Sequence, residues 1–211
     1  VSYTGSGSAK TVSHSLSAIP KMIIVKSRSA TGQWAVQHAT LGPTKWTELQ
    51  ATTATDFSTA IWNDTAPTSS VFTVGTNART NGNGTTYIAY CFAEKQGYSK
   101  FGFYTGNGNT NGTFVYTGFK AAFVLLRRTD SARDWLLHDS KRYPFNEPVA
   151  KILKPNSTGT EADTGNIDIL SNGFKLLSTG TNSNVNGGNY IYMAFAESPF
   201  VTSGGVPTTA R

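Results

Sequence analysis

The chain has 211 residues, a net charge of +6 and only 14% charged residues, with Gly, Ser, Thr and Asn abundant. That length holds one large domain or two of about 100 residues, and the composition excludes a coiled coil and a charge-rich disordered chain. No apolar run reaches the roughly 18 residues of a membrane span and no signal peptide opens the sequence, so no membrane insertion is expected. Val1 lies already inside the first module, and the chain is expected to be the C-terminal or ordered part of a longer protein.

In chain order, the first element is YTGSG (3–7), and it returns as YTGNG (104–108). PKMIIVKSRSATGQW (20–34) lies over AAFVLLRRTDSARDW (121–135) at the same offset, with Trp34 over Trp135. NGNGTTYIAYCFAE (81–94) lies over NVNGGNYIYMAFAE (184–197). A self-match at fixed period marks a repeat architecture and predicts two modules, 1–98 and 99–211, the second with a short C-terminal tail. KMIIVK and AFVLLR are short branched apolar runs that read as buried strands, each forming a hairpin with WAVQH (34–38) or WLLHD (135–139). Over 53–64 a turn or two of helix is expected, with Asp56 as its cap. SSVFTVG (69–75) corresponds to SNGFKLL (171–177), whose Asn-Gly signals a hairpin. YIAYCFAE and YIYMAFAE are apolar on both alternation faces and read as central strands covered on both sides. The expected fold is all-β: two tandem, internally repeated β-sandwich modules, jelly-roll-like.

Little in the sequence carries chemistry. The glycine-rich stretches lack the lysine and the βαβ frame of phosphate loops. His138, Asp139 and Ser140 are adjacent, but neighbouring strand residues point to opposite faces and cannot form a triad. Glu94 and Glu197 hold the same slot, and each is expected to pair with a basic residue such as Lys26 or Arg127. Glu161, Asp163 and Asp168 are the best candidates for a loop cation site, but they lack a known loop signature; no metal or other cofactor is expected. Cys91 is the only cysteine and fills a slot for a small buried side chain. Basic residues are densest between Lys120 and Lys154, yet no nucleic-acid motif frames them, so no nucleic-acid partner is expected.

Trp34 and Trp135 recur and read as core. Trp46 and Trp62 do not recur and lie in the segment where the two halves differ most. With Asn63 and Asp64, and with Tyr143 and Asn146 in the corresponding segment, they form the candidate ligand-binding set: aromatic platforms beside amide and carboxylate groups, as a sugar site requires.

The stretches SHSLSAIPKMIIVKSRSATGQWAV, IWNDTAPTSSVFTVGT, YIAYCFAEKQGYSKFGFYTGNG, TFVYTGFKAAFVLLRRTDSARDWLLHDSKRYPFN and YIYMAFAESPFVTSGGVPTTAR resemble the C-terminal region of tail-fibre-like or uncharacterised virion proteins of marine bacteriophages, over nearly the whole chain. The resemblance implies a non-enzymatic virion protein, located on the extracellular phage particle, whose module at the fibre tip adheres to the host surface through a glycan. It implies a homotrimer and contacts with other virion proteins. The alternative expectation is a structural capsid-decoration or fibre-assembly domain with no ligand of its own, and a depolymerase stands behind both.

Overall fold

The structure is a computed structural model that describes residues 1–142, 151–161 and 167–198. Strand makes up 43% of it and helix 6%, in several antiparallel sheets, so the protein is all-β and sandwich-like. The chain divides into two compact units, Val1–Ala93 and Glu94–Arg211. The division falls before the expected boundary at 98 and 99. The reason is local: Lys95 bridges Ser99, and Glu94 receives Lys100 Nζ at 2.7 Å, so 94–98 folds onto the strand that follows it.

The first unit runs β1 (Ser2–Thr4), β2 (Lys10–Ser13), β3 (Pro20–Ser27), β4 (Ala35–His38), β5 (Lys45–Glu48), β6 (Asp56–Phe57), α1 (Thr59–Trp62), β7 (Val71–Val74), α2 (Ala78–Asn81) and β8 (Thr86–Ala93). One sheet has the order β1-β8-β3-β4-β5-β6 and the other pairs β2 with β7. The second unit has β9 (Ser99–Thr105), β10 (Phe114–Tyr116), β11 (Ala121–Arg128), β12 (Trp135–Asp139), β13 (Ile167–Leu170), β14 (Gly173–Leu176) and β15 (Asn189–Ala196). Its sheets are β12-β11-β15-β9 and β10-β14-β13. The apolar runs β3 and β11 form the expected hairpins with β4 and β12; the expected Asn-Gly turn is shifted by one residue, since Ser171 and Asn172 turn β13 into β14 and Gly173 already pairs with Leu170.

Each unit is closed by a pair of stacked tyrosines. In the first, Tyr3 lies opposite Tyr87 across the β1–β8 ladder, their rings 5.2 Å apart, and Phe72 meets Tyr3 edge-on. In the second, Tyr104 lies opposite Tyr190 at 4.8 Å, and Phe174 meets Tyr104 edge-on. A buried phenol needs a partner for its hydroxyl. Tyr3 donates to the Thr80 carbonyl at 2.6 Å, and Tyr87 donates to the Ala78 carbonyl at 2.6 Å while accepting from Gly82 N. Tyr104 donates to the Ser183 carbonyl at 2.7 Å, and Tyr190 bonds Thr181 and Val185 in the same manner. Burial pushes the phenols of Tyr3 and Tyr104 up, which keeps them as donors.

The glycine of each Tyr-Thr-Gly is demanded by close approach. A Cβ on Gly5 would stand 2.2 Å from the Gly82 carbonyl oxygen, and one on Gly106 2.3 Å from that of Val185. A buried asparagine then ties the turn to the rest. Asn81 accepts from Ser6 N and donates to the Ser8 and Gly75 carbonyls. Asn184 accepts from Asn107 N and donates to the Asn109 and Ser178 carbonyls.

Val12, Ile23, Val25, Trp46, Ile61, Trp62 and Phe72 are central to the core of the first unit; Val115, Val124, Leu126, Leu136, Phe174 and Tyr192 are central to that of the second. The opposite faces of the central strands are buried too, at Met22, Ile24 and Val36 and at Leu125, Ile191 and Met193. In YIYMAFAE, Tyr190–Ala194 are buried and Phe195–Glu197 half-buried, while in YIAYCFAE Tyr90 is exposed.

The helix expected over 53–64 shrinks to the single turn α1. Asp56 is not its cap: it sits in β6 and its carboxylate accepts from Phe57 N. The short helix α2 is capped by Asn77, whose side chain accepts from Arg79 N.

Replacing Asn184 by Ala leaves three backbone groups without their partner. Urea unfolding is expected to show a loss of about 3 kcal/mol. Asn186→Ala, at an exposed position, is expected to stay within about 0.5 kcal/mol.

Candidate functional site

A polar cleft lies at the β5–β6 edge of the first unit. It has a volume of about 420 Å³ and is lined by Gln33, Trp46, Thr47, Glu48, Thr53, Ala54, Thr55, Asp56 and Arg79, within the range of small-molecule sites, about 300–1,000 Å³. β5 supplies Trp46 and Glu48 from one face by alternation, β6 supplies Asp56 opposite Trp46, and α2 supplies Arg79. The Arg79 guanidinium lies 4.8 Å over the Trp46 ring, its Nε donates to Gln33 Oε1, and it stands 3.7 Å from Glu48 Oε1. Glu48 is buried, and its Oε2 accepts from Gln50 Nε2 and Thr53 Oγ1, each at 3.3 Å. On the lining residues, Trp46 Nε1, Thr47 Oγ1 and Thr55 Oγ1 are buried without a hydrogen-bond partner. The cleft thus offers hydroxyl, amide, guanidinium and carboxylate groups around one indole.

Of the candidate binding residues, only Trp46 belongs to this cleft. It is 7% exposed and lies under Arg79, so it forms a wall and presents no open platform. Trp62 is a correction: it is 0% exposed and packs in the core with Ile61 and Phe72, leaving no ring face for a sugar. It sits there because the single turn of α1 points its last residue inward. Asn63 and Asp64 follow in the left-handed region, at φ 52° and 46°, and are exposed. They face solvent and do not line the cleft. Tyr143 and Asn146 lie outside the described residues. Sequence reasoning missed Gln33 and Arg79, because neither stands near Trp46 along the chain; only the packing of α2 brings Arg79 over the indole.

The other candidates resolve into pairs. Glu94 binds Lys100, and Glu197 binds Lys120 at 2.7 Å and Lys141 at 3.1 Å, not the expected Lys26 and Arg127. Hydrogen bonds from those two lysines hold the Glu197 carboxyl below its usual range. Much of the basic cluster is paired likewise: Arg128 with Asp130, Lys154 with Asp134 and Arg142 with Glu161. Arg127 is fully buried, its guanidinium 5.2 Å over the Trp135 ring. Trp135 is buried and Trp34 half-buried against Tyr90, yet both backbone amides donate to an amide side chain, of Asn156 and Gln50 respectively. Cys91 is half-buried, and burial raises its thiol. Among the described residues no three His, Cys, Asp or Glu side chains cluster to hold a metal. Asp163 lies outside them; Asp168 has one carboxylate oxygen buried without a partner, and burial raises its pKa.

The fold and the cleft define an all-β protein of antiparallel sheets with a polar pocket at one sheet edge. The chain belongs to the family described as Domain of unknown function (DUF7483), whose model matches residues 1–199. No curated protein and no solved structure matches it.

Two stability outcomes follow from these placements. Trp62→Ala is expected to cost about 3–5 kcal/mol on urea unfolding, as a fully buried aromatic does. His138 is buried in β12 with Nε2 unpartnered, and desolvation lowers its pKa from 6.5 to about 3. On acidification the unfolded chain therefore takes up this proton first. The stability is whole above about pH 6.5 and declines as pH falls toward 3, by several kcal/mol, roughly 1.4 per pH unit. Urea midpoints between pH 7 and 4.5 are expected to fall in the wild type, and His138→Leu is expected to flatten that slope.

Proposed function

We propose that this is a non-enzymatic virion protein of a bacteriophage, a module of the tail fibre that adheres to a glycan on the host surface. In this reading it acts on the extracellular phage particle, as a homotrimer, beside other virion proteins and without a cofactor. The two units are copies of one module, which the matching strand orders and tyrosine pairs support. The observation that carries the reading is the cleft at the β5–β6 edge. Its mixture of Thr hydroxyls, Gln33 amide, Glu48 and Asp56 carboxylates and the Arg79 guanidinium suits a ligand rich in hydroxyls. Weak binding at each copy suffices, because a fibre presents several copies at once. A structural role in capsid decoration or fibre assembly is the competing reading.

Phage particles carrying Thr55→Val together with Gln33→Ala test the choice. Both changes fall at partly buried lining positions and are expected to leave assembly and thermal stability unchanged. Adsorption to host cells is expected to slow about tenfold or more, since lost contacts multiply across copies. Unchanged adsorption with intact fibres would leave the structural role standing.

A further inference from the structure

The cleft at the β5–β6 edge carries an excess of negative charge on a chain whose net charge is +6. Its charged lining residues are Glu48, Asp56 and Arg79, two carboxylates against one guanidinium. They are not equivalent. Glu48 is buried and Arg79 stands 3.7 Å from its Oε1, so each has the other's charge beside it. The guanidinium is committed further, with its face on the Trp46 ring and Nε donating to Gln33 Oε1. Gln50 and Thr53 donate to the second oxygen of Glu48. Asp56 is the charge left over. It lies directly opposite Trp46 across the β5–β6 ladder and is exposed. Its Oδ1 accepts from the amide of the next residue, Phe57, and among the described residues no cation pairs with it. Lys45 neighbours Trp46 in β5, so alternation puts it on the other face, where its ammonium lies over the Phe57 ring.

We infer that the cleft selects an amino sugar, with its ammonium set against Asp56 and its hydroxyls against Gln33 and Thr55. The inference rests on the glycan reading above and adds the charge of the ligand to it. A uronate ring would bring a negative charge beside Glu48 and Asp56. To gain Arg79 it would have to compete with Glu48 and Gln33, which already hold the guanidinium. An N-acetylated ring offers the hydroxyls but no charge, and leaves Asp56 without a partner. An ammonium offsets the excess, and inside a cleft that attraction is screened less than on open surface. The positive charge of the whole chain works against a cation at long range. A preference for the amino form therefore reports the cleft and not the net charge of the molecule.

Calorimetry on the whole protein tests this with four probes: the trimers of glucosamine, of N-acetylglucosamine and of galacturonate, and trilysine. The glucosamine trimer is expected to bind about threefold or more tighter than the acetylated one at low salt, with the gap closing as salt rises. The galacturonate trimer is expected to bind weakest of the three sugars. Trilysine, with ammonium groups and no sugar hydroxyls, is expected to bind about threefold or more weaker than the glucosamine trimer. Asp56→Asn keeps an acceptor for the Phe57 amide and is expected to bring the ratio of the two glucosamine forms toward one. Asp64→Asn, at an exposed carboxylate of the same unit outside the cleft, is expected to leave that ratio unchanged. Equal binding of the two glucosamine forms, or tightest binding of galacturonate, overturns the inference and leaves the glycan reading standing. A preference that survives Asp56→Asn overturns it too, as does trilysine binding as tightly as the glucosamine trimer, which would mark a site for cationic side chains. Binding of none of the three sugars overturns the glycan reading and the inference together.

Discussion

The stacked tyrosine pair is the constraint on which each unit depends. Two phenol rings fill the end of the core, and their hydroxyls reach only the turn that precedes the central strand. In the first unit that turn is α2, and its Ala78 and Thr80 carbonyls are the acceptors. The turn must therefore lie directly over the rings, which is why Gly5 stands against the Gly82 carbonyl and why Asn81 is buried beneath. A one-residue slip of β8 against β1 would turn Tyr87 away from Tyr3 and carry its hydroxyl out of the core. The register of the central strand, and through it of β3, follows from that contact. Around Tyr104 and Tyr190 the Ser183 and Thr181 carbonyls are the acceptors, and Asn184 is the buried amide.

Much of this frame is legible in the sequence because it rests on short-range patterns. Branched apolar runs gave β3 and β11 with their hairpins, and Asn172 marked the turn between β13 and β14, whereas the recurring Tyr-Thr-Gly signalled a self-match without indicating β1 or β9. What stayed illegible depends on tertiary placement. Trp46 and Trp62 look alike along the chain, and only the inward turn of α1 sends Trp62 to the core while β5 leaves Trp46 at a cleft wall. Arg79 and Gln33 are far from Trp46 in sequence and meet it through packing. Glu94 and Glu197 chose Lys100 and Lys120 because those lysines stand on neighbouring backbone, information that residue type alone does not hold. The tyrosine pair itself was visible only as a repeated letter; its purpose lies in carbonyls about 80 residues away along the chain.

Function, in this account, sits where two similar frames differ. The first unit carries the cleft around Trp46, Glu48 and Arg79. The second exposes Phe103, Phe114 and Tyr116. Neither addition disturbs the tyrosine pair, the buried asparagine or the core faces. A frame of this kind tolerates change at sheet edges because edge residues owe little to the core, and edges are where a ligand or partner has access.

The most direct measurement of the central claim is a crystal structure of the whole protein soaked with oligosaccharides cleaved from the surface of a susceptible host. The account predicts sugar density in the cleft against Gln33, Thr55 and Arg79. An empty cleft, with those residues covered by another copy of the chain, would contradict it.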